Sequence, residues 1–439
     1  MTGKTSRNWF AASSVYFERR IIIVFLLGFS AGLPFLLMFG TLTAWLAQSG
    51  IDKTSIGLFV LTGTAFTLKF LWAPLVDRLP LPFVARLLGQ RRSWLALAQL
   101  VCIASLVGIG LSDPTTGLRV TVLWTVVLAF ASATQDIVID AYRIETLHEN
   151  EQGAGAATYQ LGYRLALISA GAGALILADA LGWKTTYIIM AGLMTLGLLT
   201  TLLSPEPKRP AQKDSSQGNR LTRYNEWLKN SVVAPFSEFF SRPGALVILL
   251  FVVFYKYADG IWAAMANPFY LELGFTLTEI GVVSKTYGVV MTIIGSVLGG
   301  VMVLRLGILK SVLFGAVSMA LTNLLYAALA LSGPSIPVLM AVISIENLAN
   351  GIGGTAFIAY LSSLCNLAYT ATQYALLSSF MNVARTFLAS GGGWLADQVD
   401  WVTFFVITTI AGIPGVVLLL YLMKRFPTHT ETARQPEPS

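Results

Sequence analysis

From Ile21 to Leu46 the chain runs for 26 residues without a charged side chain, and stretches of this kind recur almost to its end. A helix needs roughly 20 apolar residues to cross the hydrocarbon core of a bilayer. Counted on that basis, twelve spans are predicted, at about 20–47, 54–76, 93–112, 119–142, 155–178, 184–204, 244–271, 276–303, 309–332, 336–364, 372–396 and 401–424. Few features constrain a fold more. Inside lipid every backbone N–H and C=O must be satisfied by the chain itself, which leaves only helices and closed barrels. Barrel strands read as short alternating segments, whereas these runs are long and continuous, so the expected class is an all-α membrane protein. Composition agrees: 12% of the 439 residues are charged and 55% are hydrophobic, against about a quarter charged in an ordinary soluble domain. The first run is too long for a signal-peptide core of about 7–15 residues and is read as a retained span.

The net charge of +7 does not point to nucleic acid, because the basic residues sit in short gaps between apolar runs. With the amino terminus inside, twenty-one Lys and Arg fall on the cytoplasmic side and only Lys53, Arg119 and Lys184 on the other. Under the positive-inside rule both termini are expected in the cytoplasm. Two cysteines, Cys102 and Cys365, suggest no disulfide framework. The two histidines, His148 and His429, lie outside the spans, and no metal spacing or nucleophile elbow is present. No enzyme, metal or cofactor is expected.

The longest polar stretch, Pro205–Arg242, divides the chain six spans from six, with Glu226-Trp227-Leu228 as a short interfacial helix. The expected units are 1–204 and 244–425, a cytoplasmic linker over 205–243 and a tail over 426–439. The halves echo each other. Gly50-Ile-Asp-Lys-Thr-Ser-Ile-Gly57 matches Gly274-Phe-Thr-Leu-Thr-Glu-Ile-Gly281 at four of eight positions, and Asp179 and Trp183 recur as Asp397 and Trp401. Two pseudo-symmetric six-helix halves resemble the major facilitator superfamily, whose substrate site lies at the midplane between the halves.

A charge inside the membrane is costly and marks function by default. Five cations fall there: Lys69, Arg164, Lys256, Lys285 and Arg385. Against them stand Asp136, Asp259 and Glu346, with Asp140 near the cytoplasmic face. The positive surplus favours an anionic ligand such as a carboxylate. Lys256 with Asp259, Glu346 with Arg385, and Asp136 with Arg164 are the expected pairs. The acids are candidate proton carriers, because desolvation and an opposing charge move a carboxyl pKa. Asp136 and Asp259 lead and Glu346 follows. The steps from Asp136 to Asp140 to Arg143 place all three on one helix face, and Asp140 and Arg143 read as a cytoplasmic gate with Asp77 and Arg78. Arg86, Arg91 and Arg92 read as a plain basic loop. Tyr255, Tyr257 and Trp262 are expected to line the cavity, Trp45 and Trp124 to sit in the interfacial belt, and Gly28, Gly32, Gly295, Gly299, Gly300, Gly351, Gly353 and Gly354 to let helices approach.

Gly28–Pro34, Lys69–Arg78, Ser132–Asp140, Gly162-Tyr-Arg164, Tyr255–Asp259, Val283–Thr286 and Ala371–Leu377 resemble the AmpG-type muropeptide permeases, over nearly the whole chain from Gly28 to Leu420. The resemblance implies an importer of the bacterial inner membrane, and a monomer is expected. Its cargo would be N-acetylglucosaminyl-1,6-anhydro-N-acetylmuramic acid, with or without peptide, carried from periplasm to cytoplasm by proton symport and alternating access. That flux serves peptidoglycan recycling and feeds beta-lactamase induction. The resemblance also implies functional roles for Gln135, Asp136 and Asp259, with the Gln135 amide side chain meeting the cargo's sugars. Another anionic cargo, such as acetyl-CoA or an acidic sugar, is the competing expectation.

Overall fold

The computed structural model describes residues 14–51, 62–148, 151–207, 233–276, 279–383 and 392–426. Every regular element among them is helical. Nine of these helices are long and apolar enough to cross a membrane, and a tenth joins them if the bent pair Ala234–Phe240 and Ala245–Tyr257 counts as one span. They follow the predicted runs: span one is Arg19–Leu46, three Gln90–Leu111, four Pro114–Thr146, five Gln152–Leu181 and six Trp183–Leu203. After the linker come span seven, Ala245–Glu272, then eight, Ile280–Leu306, nine, Ile308–Ser332, ten, Ile336–Ser363, and twelve, Trp401–Arg425. Spans two and eleven are described in pieces, Thr64–Leu68, Lys69–Leu71 and Ala73–Arg78 for the one and Thr370–Val383 and Gly392–Gln398 for the other. This is consistent with a twelve-span bundle. Large apolar side chains such as Leu123, Ile176 and Leu246 face outward, as a surface solvated by lipid requires.

Close backbone crossings hold the bundle. A Cβ on Gly162 would overlap the carbonyl of Phe25, and one on Gly28 the carbonyl of Tyr159, so spans one and five touch backbone to backbone. Lipid offers no hydrophobic driving force between helices, and association depends on such contact area.

The internal repeat is visible atom by atom. At the end of span one, the Trp183 indole donates to Gln48 Oε1 at 2.6 Å; at the end of span seven, the Trp401 indole donates to Glu272 Oε2 at 2.7 Å. Trp45 stacks on Trp183 with centroids 5.7 Å apart, and Phe269 packs edge-on against Trp401 at 5.2 Å. Trp45 is therefore a buried member of this junction, not the interfacial anchor expected from its place near a span end.

Glu226, Trp227 and Leu228 lie outside the described residues. The linker's last stretch does form a helix, Ala234–Phe240, which meets span seven at 89°. That angle is what a helix lying along the membrane surface makes with one crossing it. Its Glu238 pairs with Arg242 at 2.7 Å, and Arg242 also donates to the Leu364 carbonyl beyond span ten.

Candidate functional site

Span two breaks where its charge sits. Lys69–Leu71 form a 3-10 turn, and Pro74 opens the helix that follows; proline tolerates a first turn but not a helix interior. The break turns Lys69 inward until only 3% of it is exposed. Its Nζ lies 3.6 Å from Asp136 Oδ2 and 3.9 Å from Asp140 Oδ2 on span four. One turn further, Arg143 Nη2 lies 3.5 Å from Asp140 Oδ1. The three charges of span four do share a face, and Lys69 completes it. The cation opposite Asp136 is thus Lys69, where the sequence suggested Arg164. A buried ion pair gains little net stability, but removing one partner leaves an expensive charge. Such a set therefore has few arrangements open to it, each with a definite proton count.

Toward the basic end of the bundle the chain of charges becomes a lock. Arg91, the first-turn arginine of span three, is fully buried. Its Nη2 donates to Asp77 Oδ1 at 2.7 Å and to Glu145 Oε1 at 2.6 Å, and its Nε to Glu145 Oε2 at 3.0 Å. Asp77 reaches across to the start of span eleven, accepting from the Thr372 amide at 2.7 Å, the Thr372 hydroxyl at 2.6 Å and the Ala371 amide at 3.2 Å. A carboxylate at a helix N-terminus satisfies orphan N–H groups and complements the dipole; here it comes from a different span nearly 300 residues away. Arg143 Nη1 donates to Ser362 Oγ of span ten at 3.0 Å. Its guanidinium sits over the rings of Tyr374 and Tyr159, while that of Arg78 covers Tyr369. Of these contacts, those of Asp77 with Ala371 and Thr372, of Arg143 with Ser362 and Tyr374, and of Arg78 with Tyr369 join segments before the linker to segments after it.

This corrects the reading of the basic loop. Arg91 is a buried keystone, and Arg92 donates to the Thr201 carbonyl at 3.0 Å and to that of Leu202, capping span six. Arg86 is exposed, as a plain loop arginine would be. On the far side of span eleven the linker helix grips the same first turn: Gln373 donates to Glu238 and to the Pro235 carbonyl.

Other predicted residues are dispersed. Gln135 is fully buried and points into the helices before the linker, bonded to Ser30. Trp262 is 6% exposed and packs among Tyr326, Phe405 and Phe269. Tyr255 stacks on Phe357 at 4.2 Å and donates to the Gly353 carbonyl. Both aromatics are core, because spans seven, nine, ten and twelve close over them. Tyr257 is half-buried against Phe254, and Lys256 places its ammonium 5.6 Å from the Tyr255 ring. Glu346, 8% exposed, accepts from Asn347 at 2.5 Å and from Asn350. Asn350 and Gly354 continue its helix face, and Gly354 lies against Gln160 of span five, so that face looks toward the spans before the linker. Arg164 is half-buried on span five. The side chains of Asp259 and Lys285, and all of Arg385, lie outside the described residues, and with them the expected pairs of Lys256 and Glu346. Thr372, Ser362, Tyr159 and Tyr374 went unpredicted; the one signal was the Ala371–Leu377 motif, which holds both Thr372, a capping residue type, and Tyr374.

A charged seam between two sets of helices, locked at one end, is the layout of an alternating-access carrier. The Major Facilitator Superfamily profile matches residues 21–263 and 257–439. The fold agrees: the chain superposes on the proton:xylose symporter XylE bound to 6-bromo-6-deoxy-D-glucose with a TM-score of 0.69, 14% identity and coverage of 94% of this chain and 96% of that one. This is a secondary transporter and not an enzyme. It is 38% identical over 408 residues to the anhydromuropeptide permease of Escherichia coli (strain K12), covering 92% of this chain and 80% of that protein. It is 34% identical over 415 residues to putative transporter AmpG 4 of Rickettsia felis, covering 94% and 99%. The chain belongs to the AmpG-type muropeptide permease family of the Major Facilitator Superfamily.

Proposed function

We propose that the protein imports anhydromuropeptides, the N-acetylglucosaminyl-1,6-anhydro-N-acetylmuramic acid disaccharide with or without peptide, by proton symport across the bacterial inner membrane. Both termini face the cytoplasm, as the basic loops favour, and the units 1–204 and 244–425 rock about a midplane site as a monomer. The observation that carries the coupling is Lys69 held between Asp136 and Asp140 at 3.6 and 3.9 Å, with Arg143 linking Asp140 to the gate. In this reading the closed basic end is the cytoplasmic gate, and the described state faces outward. A proton taken up by Asp136 removes one of the two charges facing Lys69, freeing it to bind a cargo carboxylate. Asp259 and Glu346 are the further proton candidates, and Arg164, Lys256, Lys285 and Arg385 supply the remaining positive field. Cargo and proton leave together when Asp77 lets go of span eleven.

Uptake of labelled anhydro-disaccharide into proteoliposomes, with and without an inside-alkaline gradient, tests this directly. Accumulation several-fold higher with the gradient is the expected result. Binding without a gradient response would sink proton coupling. Absence of binding, with acetyl-CoA or an acidic sugar bound instead, would sink the cargo.

A further inference from the structure

Gln135 precedes Asp136 by one residue and so points about 100° away from it on a helix of 3.6 residues per turn. There it enters a closed polar chain through four spans. Thr201 Oγ1 donates to Gln99 Oε1 at 2.8 Å, Gln99 Nε2 to Ser30 Oγ at 3.3 Å, and Ser30 Oγ to Gln135 Oε1 at 3.0 Å. Gln135 Nε2 then donates to the backbone carbonyl of Ser30 at 2.9 Å. These side chains are between 0% and 1% exposed, and a Cβ on Gly197 would overlap Ser30 Oγ, so Ser30 is held close against span six.

The last bond has a specific cause. In a helix the Ser30 carbonyl would accept from the N–H of residue 34, and residue 34 is a proline inside span one. Proline has no N–H to give. An unsatisfied carbonyl in the membrane interior has no water to turn to and is costly, and Gln135 supplies the missing donor. Span four is thereby pinned, at one rotation, to the carbonyl that Pro34 leaves without its helical donor in span one.

We infer that Gln135 is a positioning residue that acts through Asp136: it holds span four so that the next side chain faces Lys69, and it does not touch cargo. This rests on Asp136 being the coupling carboxyl. The groups that face or act on Asp136 are Lys69 of span two, Asp140 of its own span, Cys102 of span three, Tyr159 of span five and Tyr374 of span eleven. Rotating span four changes its relation to the groups on spans two, three, five and eleven at once.

The decisive variant is Pro34→Ala, which gives span one its own donor for Ser30 and leaves Gln135 intact. It is compared with Gln135→Leu and Ser30→Ala. Two quantities are read on folded, purified protein: gradient-driven uptake with its pH profile, and the titration midpoint of the Asp136 carboxyl band in infrared difference spectra, assigned with Asp136→Asn. We expect Pro34→Ala and Gln135→Leu to move that midpoint in the same direction by about one pH unit, a tenfold change in proton affinity, while the Kd for anhydro-disaccharide stays within about twofold. A Kd raised tenfold by Gln135→Leu alone, with Pro34→Ala neutral, would make Gln135 a ligand and overturn the inference. So would an unmoved midpoint in all three variants, which would leave a purely structural role. The infrared midpoint needs no cargo, so it stands apart from failure of the muropeptide reading.

Discussion

At the scale of single residues, Lys69 carries the most consequence. It is 3% exposed and lies within 4 Å of two carboxylates, a position the sequence shows only as a lysine deep in span two. Lys69→Met keeps the length of the side chain and deletes its charge, leaving Asp136 and Asp140 facing each other without their shared cation. Removing one member of a buried charge set costs about 3–5 kcal/mol, which the acids can relieve only by taking up protons. Gradient-driven uptake, normalised to folded protein, is expected to fall at least tenfold, by roughly 1.4 kcal/mol or more in the transport cycle. Wild-type uptake by Lys69→Met would remove Lys69 from the coupling site. Asp136 and Asp140 were legible as a pair, since a four-residue step on a helix guarantees a common face. Their partner was not, since nothing local to span four specifies what lies opposite.

At the scale of elements, the turn Ser14–Phe17 is a strap. It precedes span one, yet the Tyr16 hydroxyl donates to the Val297 carbonyl of span eight at 3.1 Å. Gly300 leaves the room for it, since a Cβ there would overlap that hydroxyl. The strap spans the same two sets of helices as the Asp77 lock. Tyr16→Phe removes one hydrogen bond, worth about 0.5–1.5 kcal/mol, and should raise several-fold the labelling of a Ser362→Cys reporter by an impermeant reagent applied at the basic end. Equal labelling in both proteins would show the strap to be idle. Spans four and twelve begin with carboxylate caps of another kind. Asp113 and Asp400 are fully exposed, and hydrogen bonds from Thr115 and from Thr403 hold their carboxyls below the ordinary value of 3.8. A depressed pKa means the cap contributes above the unfolded value and is lost as pH falls through the folded one. The protection of the amides of Thr115, Val402 and Thr403, taken relative to free-peptide exchange at each pH, should therefore persist from neutrality down to pH 3.8 and fall only in stronger acid. Protection lost already near neutrality would contradict it.

At the scale of the whole molecule, the start of span eleven is held from two sides, by Asp77 of span two and by Gln373 with Glu238 of the linker helix. If opening separates the two sets of spans, the Asp77 contact must break while the linker contact persists. Cysteines at Asp77 and Thr372 joined by a short bifunctional crosslinker should abolish uptake, whereas a pair at Glu238 and Gln373 treated alike should leave most of it. Equal inhibition by both would argue against rocking about this seam. The sequence by itself determined the helical class, the places of the spans and the echo between halves. Bilayer thickness sets the length of every apolar run, and a repeated junction such as Trp183 and Trp401 shows in one dimension. Only the tertiary structure decided which polar groups meet: Lys69 and not Arg164 opposite Asp136, Gln135 turned toward Ser30, Arg91 buried between Asp77 and Glu145. Helical periodicity says which residues share a face, but the face opposite comes from spans tens to hundreds of residues away. Which span that is depends on how the glycine crossings and the proline-broken turns let the helices pack.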